Sequence, residues 1–132
     1  MPSYSIGQAA QLLGVSSETV RRWADRGRLA MERDGSGKRV IDGVALAGFA
    51  RERGAGFHAV PEDDVPTSVR NSFVGIVTGV RVDDVAAQVE VQSGPHRLVS
   101  LVTREAVEEL GLDVGVTVTA RVKSTSVHID LP

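Results

Sequence analysis

Thr19, Arg21, Arg22 and Arg26 lie close together in the sequence, with Ser17 just before them and Lys38 and Arg39 a short distance after. Small hydroxyls and several guanidinium groups on one short element can do one recognisable kind of chemistry. A guanidinium pairs with phosphate oxygens or forks onto the acceptor edge of guanine, and it keeps its charge at any physiological pH. Lys38 and Arg39 would add charges that reach a neighbouring phosphate backbone. These residue types fit the major groove of DNA. They fit an ordinary solvated basic surface as well, and by themselves they leave both readings open.

Other chemistries fail on inspection. Gly35-Ser36-Gly37-Lys38 resembles a phosphate-binding loop, but Glu32 takes the place of its first glycine and Arg39 that of its Ser/Thr, so it reads as a turn. His58, His96 and His128 are far apart in sequence and do not read as a metal site. The chain has no cysteine, which removes disulfides, zinc fingers, iron–sulfur ligation and thiol nucleophiles. No nucleophile–base pair or carboxylate pair has a structural setting. The expectation is a protein without catalytic activity and without an organic cofactor.

The elements that must position the basic residues are well punctuated. Ser5 followed by Gln8 makes a capping box, Ile6, Ala9, Ala10 and Leu13 form an apolar stripe, and Gly14 supplies the stop. A second helix starts from Ser16, turns Val20, Trp23 and Ala24 inward and closes at Gly27. Two short helices about a Gly-Val turn are the helix-turn-helix arrangement. Leu29 to Ile41 reads as a small hairpin, or wing, around Asp34-Gly35-Ser36-Gly37. Asp42 then caps a third helix bearing Val44, Ala45, Leu46, Phe49 and Ala50, with Gly54 at its end.

Residues 54–66 read as a linker, since two glycines, two prolines and an acidic cluster break every periodicity. Beyond it the apolar residues alternate. Phe73–Val82 carries Val74, Ile76, Val80 and Val82 on one parity. Val85–Val91 alternates strictly, and Asp83-Asp84 between these two runs reads as a hairpin turn. Arg97–Thr103, Val116–Val122 and Ser126–Leu131 complete five strands, with a short helix at Glu105–Leu110. Five short strands and one helix predict a small barrel of the OB kind.

Composition agrees with two modules. The 132 residues are 42% hydrophobic, enough to bury cores. The net charge of −2 hides an asymmetry: residues 1–60 hold nine Lys/Arg against six Asp/Glu, and residues 61–132 hold six against eleven. A polyanion suits only the first half. No signal peptide or membrane-length apolar run is present, so the expected setting is cytoplasmic, away from membranes.

The first half resembles the MerR-type and excisionase-type winged helix-turn-helix over residues 4–53. The alanines of the first helix, the Gly14-Val15-Ser16 turn, the Thr19-Val20-Arg21-Arg22-Trp23 core and the Gly27-Arg28-Leu29 exit carry the likeness. It implies DNA binding through the second helix and wing, usually by a dimer. The long coiled-coil helix of MerR proteins is missing, so self-association is expected elsewhere.

The second half resembles the Mop, or molybdate-binding TOBE-type, domain over nearly all of residues 67–132. Three segments carry this likeness: Ser68-Val69-Arg70-Asn71 followed by Val74-Gly75-Ile76-Val77, Thr103 followed by Leu110-Gly111-Leu112-Asp113-Val114-Gly115, and Lys123-Ser124-Thr125. The resemblance implies molybdate or tungstate bound between subunits without turnover, by Ser68, Arg70, Thr103, Lys123 and Ser124. That set makes physical sense. A tetrahedral dianion accepts several hydrogen bonds per oxygen, and hydroxyls with one or two cations supply short charge-assisted donors. Asn71 would brace the loop, and Gly75 would let backbone pass close. Ala106 stands where the family often has a serine.

The fold expected is therefore α+β with two domains. A small winged helix-turn-helix (residues 1–53, DNA-binding through Ser17, Thr19, Arg21, Arg22, Arg26, Lys38 and Arg39) and a linker (54–66) precede a five-stranded OB-like β-barrel with one short helix (67–132). The function expected is a molybdate- or tungstate-responsive DNA-binding regulator, similar in logic to ModE-type repressors, forming a homo-oligomer with a hexamer placed ahead of a dimer. The alternatives are an intracellular molybdate storage protein and a plain DNA-binding protein whose barrel serves assembly.

Overall fold

The computed structural model describes residues 2–54 and 66–132. The linker read at 54–66, with His58 in it, lies outside the described residues except at its two ends. The chain divides into two compact units, Met1–Phe57 and His58–Pro132.

In the first unit, β1 (Ser3–Ser5) leads directly into α1 (Ile6–Leu13), followed by α2 (Ser17–Asp25), β2 (Glu32–Arg33), β3 (Arg39–Asp42) and α3 (Gly43–Gly54). Ser5 closes the capping box with Gln8 as expected, and Gly14 ends α1 in the left-handed conformation. Ser16 caps α2 by accepting from the Thr19 amide. The helix ends at Asp25, and Gly27 takes the positive φ of the following turn. The three-residue β1 was not foreseen; it pairs antiparallel with β3, Tyr4 opposite Ile41. Ala9, Ala10, Val20, Leu29, Ile41 and Leu46 form the core, with Trp23 and Phe49 packed against it. In α3 the expected apolar face is narrower: Leu46 is buried, but Val44 and Ala50 are exposed. The Arg53 guanidinium sits over the Trp23 ring and donates to the Leu13 carbonyl, which holds the ends of α1 and α3 together.

The second unit contains β4 (Asn71–Val82), β5 (Ala86–Ser93), β6 (His96–Thr103), α4 (Arg104–Leu110) and β7 (Thr117–Val122), then one 3-10 turn at Ser124–Ser126. The sheet is antiparallel in the order β6-β5-β4-β7. Val77, Val89 and Val91 centre its core, covered by Val107 and Leu112 from α4 and the turn after it. The turn between β4 and β5 is held by Asp83, whose carboxylate accepts from the Val85 and Ala86 amides.

Two expectations change. The single parity read along β4 is broken by a β-bulge between Val77 and Gly79. Before it Val77 faces the core while Val74 and Ile76 stand about half exposed; after it Val80 faces the core. One inserted residue reverses every side chain beyond it. The fifth strand, read over Ser126–Leu131, is not formed. After the 3-10 turn these residues pair with no strand among the described residues, so the sheet has four strands and the edges β6 and β7 stay open.

Candidate functional site

The second unit separates the five residues expected to hold an oxyanion. Asn71 pairs with Val122 at one end of the β4–β7 ladder, so Arg70 and Lys123 stand one step past the last paired residues, with Ser68 and Ser124 beside them. Asn71 reinforces this junction, its Nδ2 donating to the Val122 carbonyl at 3.2 Å. Thr103 lies elsewhere. It pairs with Ala86 on β5, beside Ala87, which pairs with Val82 at the far end of β4. Between the two places runs all of β4, about 36 Å of strand path at roughly 3.3 Å per residue. Ser68, Arg70, Lys123 and Ser124 thus lie at one end of the sheet, and Thr103 at the other.

Several of these side chains also have local roles. Arg70 folds its guanidinium back onto the Thr67 carbonyl at 2.7 Å, which fixes the loop and uses only part of its five-donor fork. Thr103 is the N-cap of α4: its hydroxyl oxygen accepts from the Ala106 amide at 3.1 Å, leaving the hydroxyl hydrogen to donate. Lys123 precedes the 3-10 turn, whose Ser126 amide donates to its carbonyl. Ser68, Arg70, Thr103, Lys123 and Ser124 are all exposed. Arg121, opposite Ser72 in the ladder, adds a third cation at the Lys123 end. It was not foreseen; its place two residues before Lys123 on an alternating strand was the available signal.

Gly75 is where backbone passes close. A Cβ built there would lie 2.5 Å from the Gln92 carbonyl oxygen and 2.7 Å from Val91 Cγ1. Two hollows among the described residues of this unit do not gather the five donors. One of about 290 Å³ is lined by Arg81, Gln88 and Leu101 among others. The second, about 240 Å³, is the apolar gap between β6 and β7.

In the first unit, Arg21, Arg22 and Arg26 are exposed along and just after α2. Thr19 and Ser17 are half-buried, and the Thr19 hydroxyl lies 2.8 Å from Ser16 Oγ within the cap. Arg39 is engaged rather than free, its Nη2 2.9 Å from Asp25 Oδ1. Lys38 is exposed at the wing. The wing turn is ordered by Asp34, whose Oδ1 accepts from the Ser36 hydroxyl, the Ser36 amide and the Lys38 amide. The Ser36 hydroxyl first, then the Lys38 amide, hold the Asp34 carboxyl below the usual carboxylate range. Arg28, exposed in the turn after α2, is a further cation that the sequence reading passed over.

Comparison with known proteins agrees with this division. Residues 3–54 match the family described as a helix-turn-helix domain, and residues 67–129 match the TOBE domain. The molybdenum-pterin-binding protein 2 of Clostridium pasteurianum is 40% identical over 63 residues, 47% of this chain and 93% of that protein. The molybdenum transport protein ModE of Azotobacter vinelandii is 42% identical over 64 residues; the match takes in 48% of this chain but only 24% of that protein. Among solved structures, a molybdate binding protein from Sporomusa ovata is 28% identical, with a TM-score of 0.49 over 51% of this chain and all of the other. The chain belongs, through its second unit, to the TOBE-domain family that includes the molybdenum-pterin-binding proteins, and it carries a helix-turn-helix domain ahead of that unit. Among the described residues no helix is long and apolar enough to cross a membrane.

Proposed function

We propose that this protein is a molybdate- or tungstate-responsive DNA-binding regulator in which the oxyanion is held between copies of the TOBE unit. The placement of Thr103 at one end of the sheet and of Ser68, Arg70, Lys123 and Ser124 at the other carries the reading. A complete ring of donors needs the Thr103 end of one copy to meet the Lys123 end of another. The relatives named for molybdenum support the anion, because molybdenum in neutral water is a tetrahedral oxyanion of the size and charge such donors suit. The protein is expected to be cytoplasmic and at least dimeric.

The first unit supplies the output. Arg21 and Arg22 on the exposed side of α2 fit a major groove, and Lys38 at the wing fits the flanking phosphates. A single small head neutralises few phosphates and binds weakly, so affinity depends on two heads held by paired TOBE units. Anion binding and operator binding are coupled through that pairing.

A second reading, an anion store with an idle first unit, is favoured by the match to 93% of a small molybdenum-pterin-binding protein, which leaves that protein little room for a DNA-binding head. Titration with molybdate, tungstate, sulfate and phosphate, followed by gel shifts on fragments upstream of the protein's own gene and of molybdate-transport genes, separates them. Selective anion binding with no selective DNA binding would favour the store. A melting temperature unmoved by millimolar molybdate or tungstate would remove both, since a ligand at one hundred times its dissociation constant adds about 2.7 kcal/mol to stability.

A further inference from the structure

Arg53, in the last turn of α3, touches both of the helices that precede it. Its guanidinium carbon lies 5.3 Å from the centre of the Trp23 ring, and its Nη1 donates to the Leu13 carbonyl at 3.1 Å. Trp23 belongs to α2, and Leu13 is the last residue of α1. Phe49, one turn earlier on α3, meets the same ring with the centroids 5.0 Å apart. One side chain therefore ties three helices together at a single point.

α2 has little else to hold it. Val20 is the buried residue among its nine, and Trp23 is half-buried on the same side. The other end of the tie has its own physical reason. A helix leaves its last carbonyls without internal partners, and a cation beside them is favoured. α1 carries no basic residue in its last turn, so Arg53 supplies that cation from another helix. A planar guanidinium can lie against an aromatic face and still direct an N–H outward, which a lysine ammonium cannot do in the same way.

We infer that Arg53 is a positioning residue for sequence reading by α2. It touches neither base nor phosphate, yet it fixes the roll of the helix that carries Arg21 and Arg22. The inference rests on the reading that the first unit binds DNA. Trp23 follows Arg22 on one short helix, so a roll that takes Trp23 from under Arg53 turns both arginines with it. Forking onto a base edge demands a narrow geometry, whereas a phosphate contact tolerates a displaced side chain. Loss of Arg53 therefore lowers discrimination between sequences before it lowers affinity for DNA in general.

The test compares the full chain with its Arg53→Ala, Arg53→Lys and Arg51→Ala variants, each checked for folding by circular dichroism. Arg51 is exposed in the same turn and removes the same charge. The probes are a duplex that the unaltered chain selects from a random-sequence pool and a scrambled duplex of equal length, at one fixed molybdate concentration. In Arg53→Ala and Arg53→Lys the ratio of the two affinities should fall by about fivefold or more, as when one base contact is lost. The salt slope should stay as it was, and Arg51→Ala should keep the ratio. A slope lower by about one with the ratio intact would make Arg53 a phosphate contact and overturn the inference. So would recovery of the ratio in Arg53→Lys, or an equal loss in Arg51→Ala. Trp23 is the only tryptophan of the chain, so acrylamide quenching of its emission reads the tie with no DNA present. Quenching should rise in Arg53→Ala, and unchanged quenching would overturn the inference. A chain that selects no sequence while Arg53→Ala still exposes Trp23 would count against the proposed function, with the tie itself intact.

Discussion

Arg39 reaches from the wing to Asp25 at the end of α2, Nη2 to Oδ1 at 2.9 Å. The pair joins the two parts of the first unit that would face DNA. Its contribution to stability is small, about 0–1 kcal/mol for an exposed pair, so its value lies in orientation. If Arg39 braces the wing, Arg39→Ala and Asp25→Ala should weaken operator binding alike. If Arg39 instead contacts phosphate, Asp25→Ala should leave binding unchanged or strengthen it. Lys38→Ala should weaken binding to all DNA sequences and lower the salt slope by about one.

The charge at the Lys123 end supports a second prediction. Arg70→Ala or Lys123→Ala should cost on the order of 2–5 kcal/mol of molybdate binding, and Arg121→Ala should weaken binding in the same direction. Arg97, whose guanidinium is committed to Glu90 on the sheet surface, provides the control. Calorimetry on Arg97→Ala should show affinity close to that of the unaltered chain. Equal losses from all four would mean that general charge draws the anion.

Gly75 and Gly48 should respond oppositely to the same change. Gly75→Ala drives a Cβ into the Gln92 carbonyl and should cost about 1–3 kcal/mol through overpacking. At Gly48, within α3, a Cβ meets nothing within 4 Å, and Gly48→Ala should stabilise by about 0.4–1 kcal/mol. Urea midpoints at constant slope would measure both.

Acid should loosen three surface devices together. Asp34 is held below the usual carboxylate range chiefly by the Ser36 hydroxyl, Asp83 by the Ala86 and Val85 amides, and Glu90 by Arg97. Each depressed carboxylate contributes stability that is full above its unfolded pKa and is lost as pH falls through the folded one. The urea midpoint should therefore fall as pH drops below the ordinary carboxylate range. Asp83→Asn should flatten part of that dependence, and an unchanged profile would refute its role at the β4–β5 turn.

Much of this architecture was legible because local rules and tertiary structure agree. The Ser5–Gln8 capping box, the Ser16 cap and the Asp83 turn are each decided within a few residues, and all three are formed. The side of β4 was not legible: alternation says that one side is buried but cannot see a bulge, which depends on the pairing with β5. The strand pattern at Ser126–Leu131 is a different case. The alternation is present, but pairing requires an edge, and this chain brings none to the segment. The candidate site residues were read from motif, and motif carries no distance. That Thr103 sits at the opposite end of the sheet from Lys123 follows only from the order β6-β5-β4-β7.

The bulge after Val77 has a reach that its size conceals. A strand is read in twos, and one extra residue shifts the frame of everything before it relative to β5. Because β7 is registered on the first half of β4, the shift carries β7 with it. Which side of the sheet Ser68, Arg70 and Lys123 emerge on is thus decided at Thr78, a residue that approaches none of them. Removing Thr78 would leave each of those side chains in sequence and turn their end of the sheet over like a page.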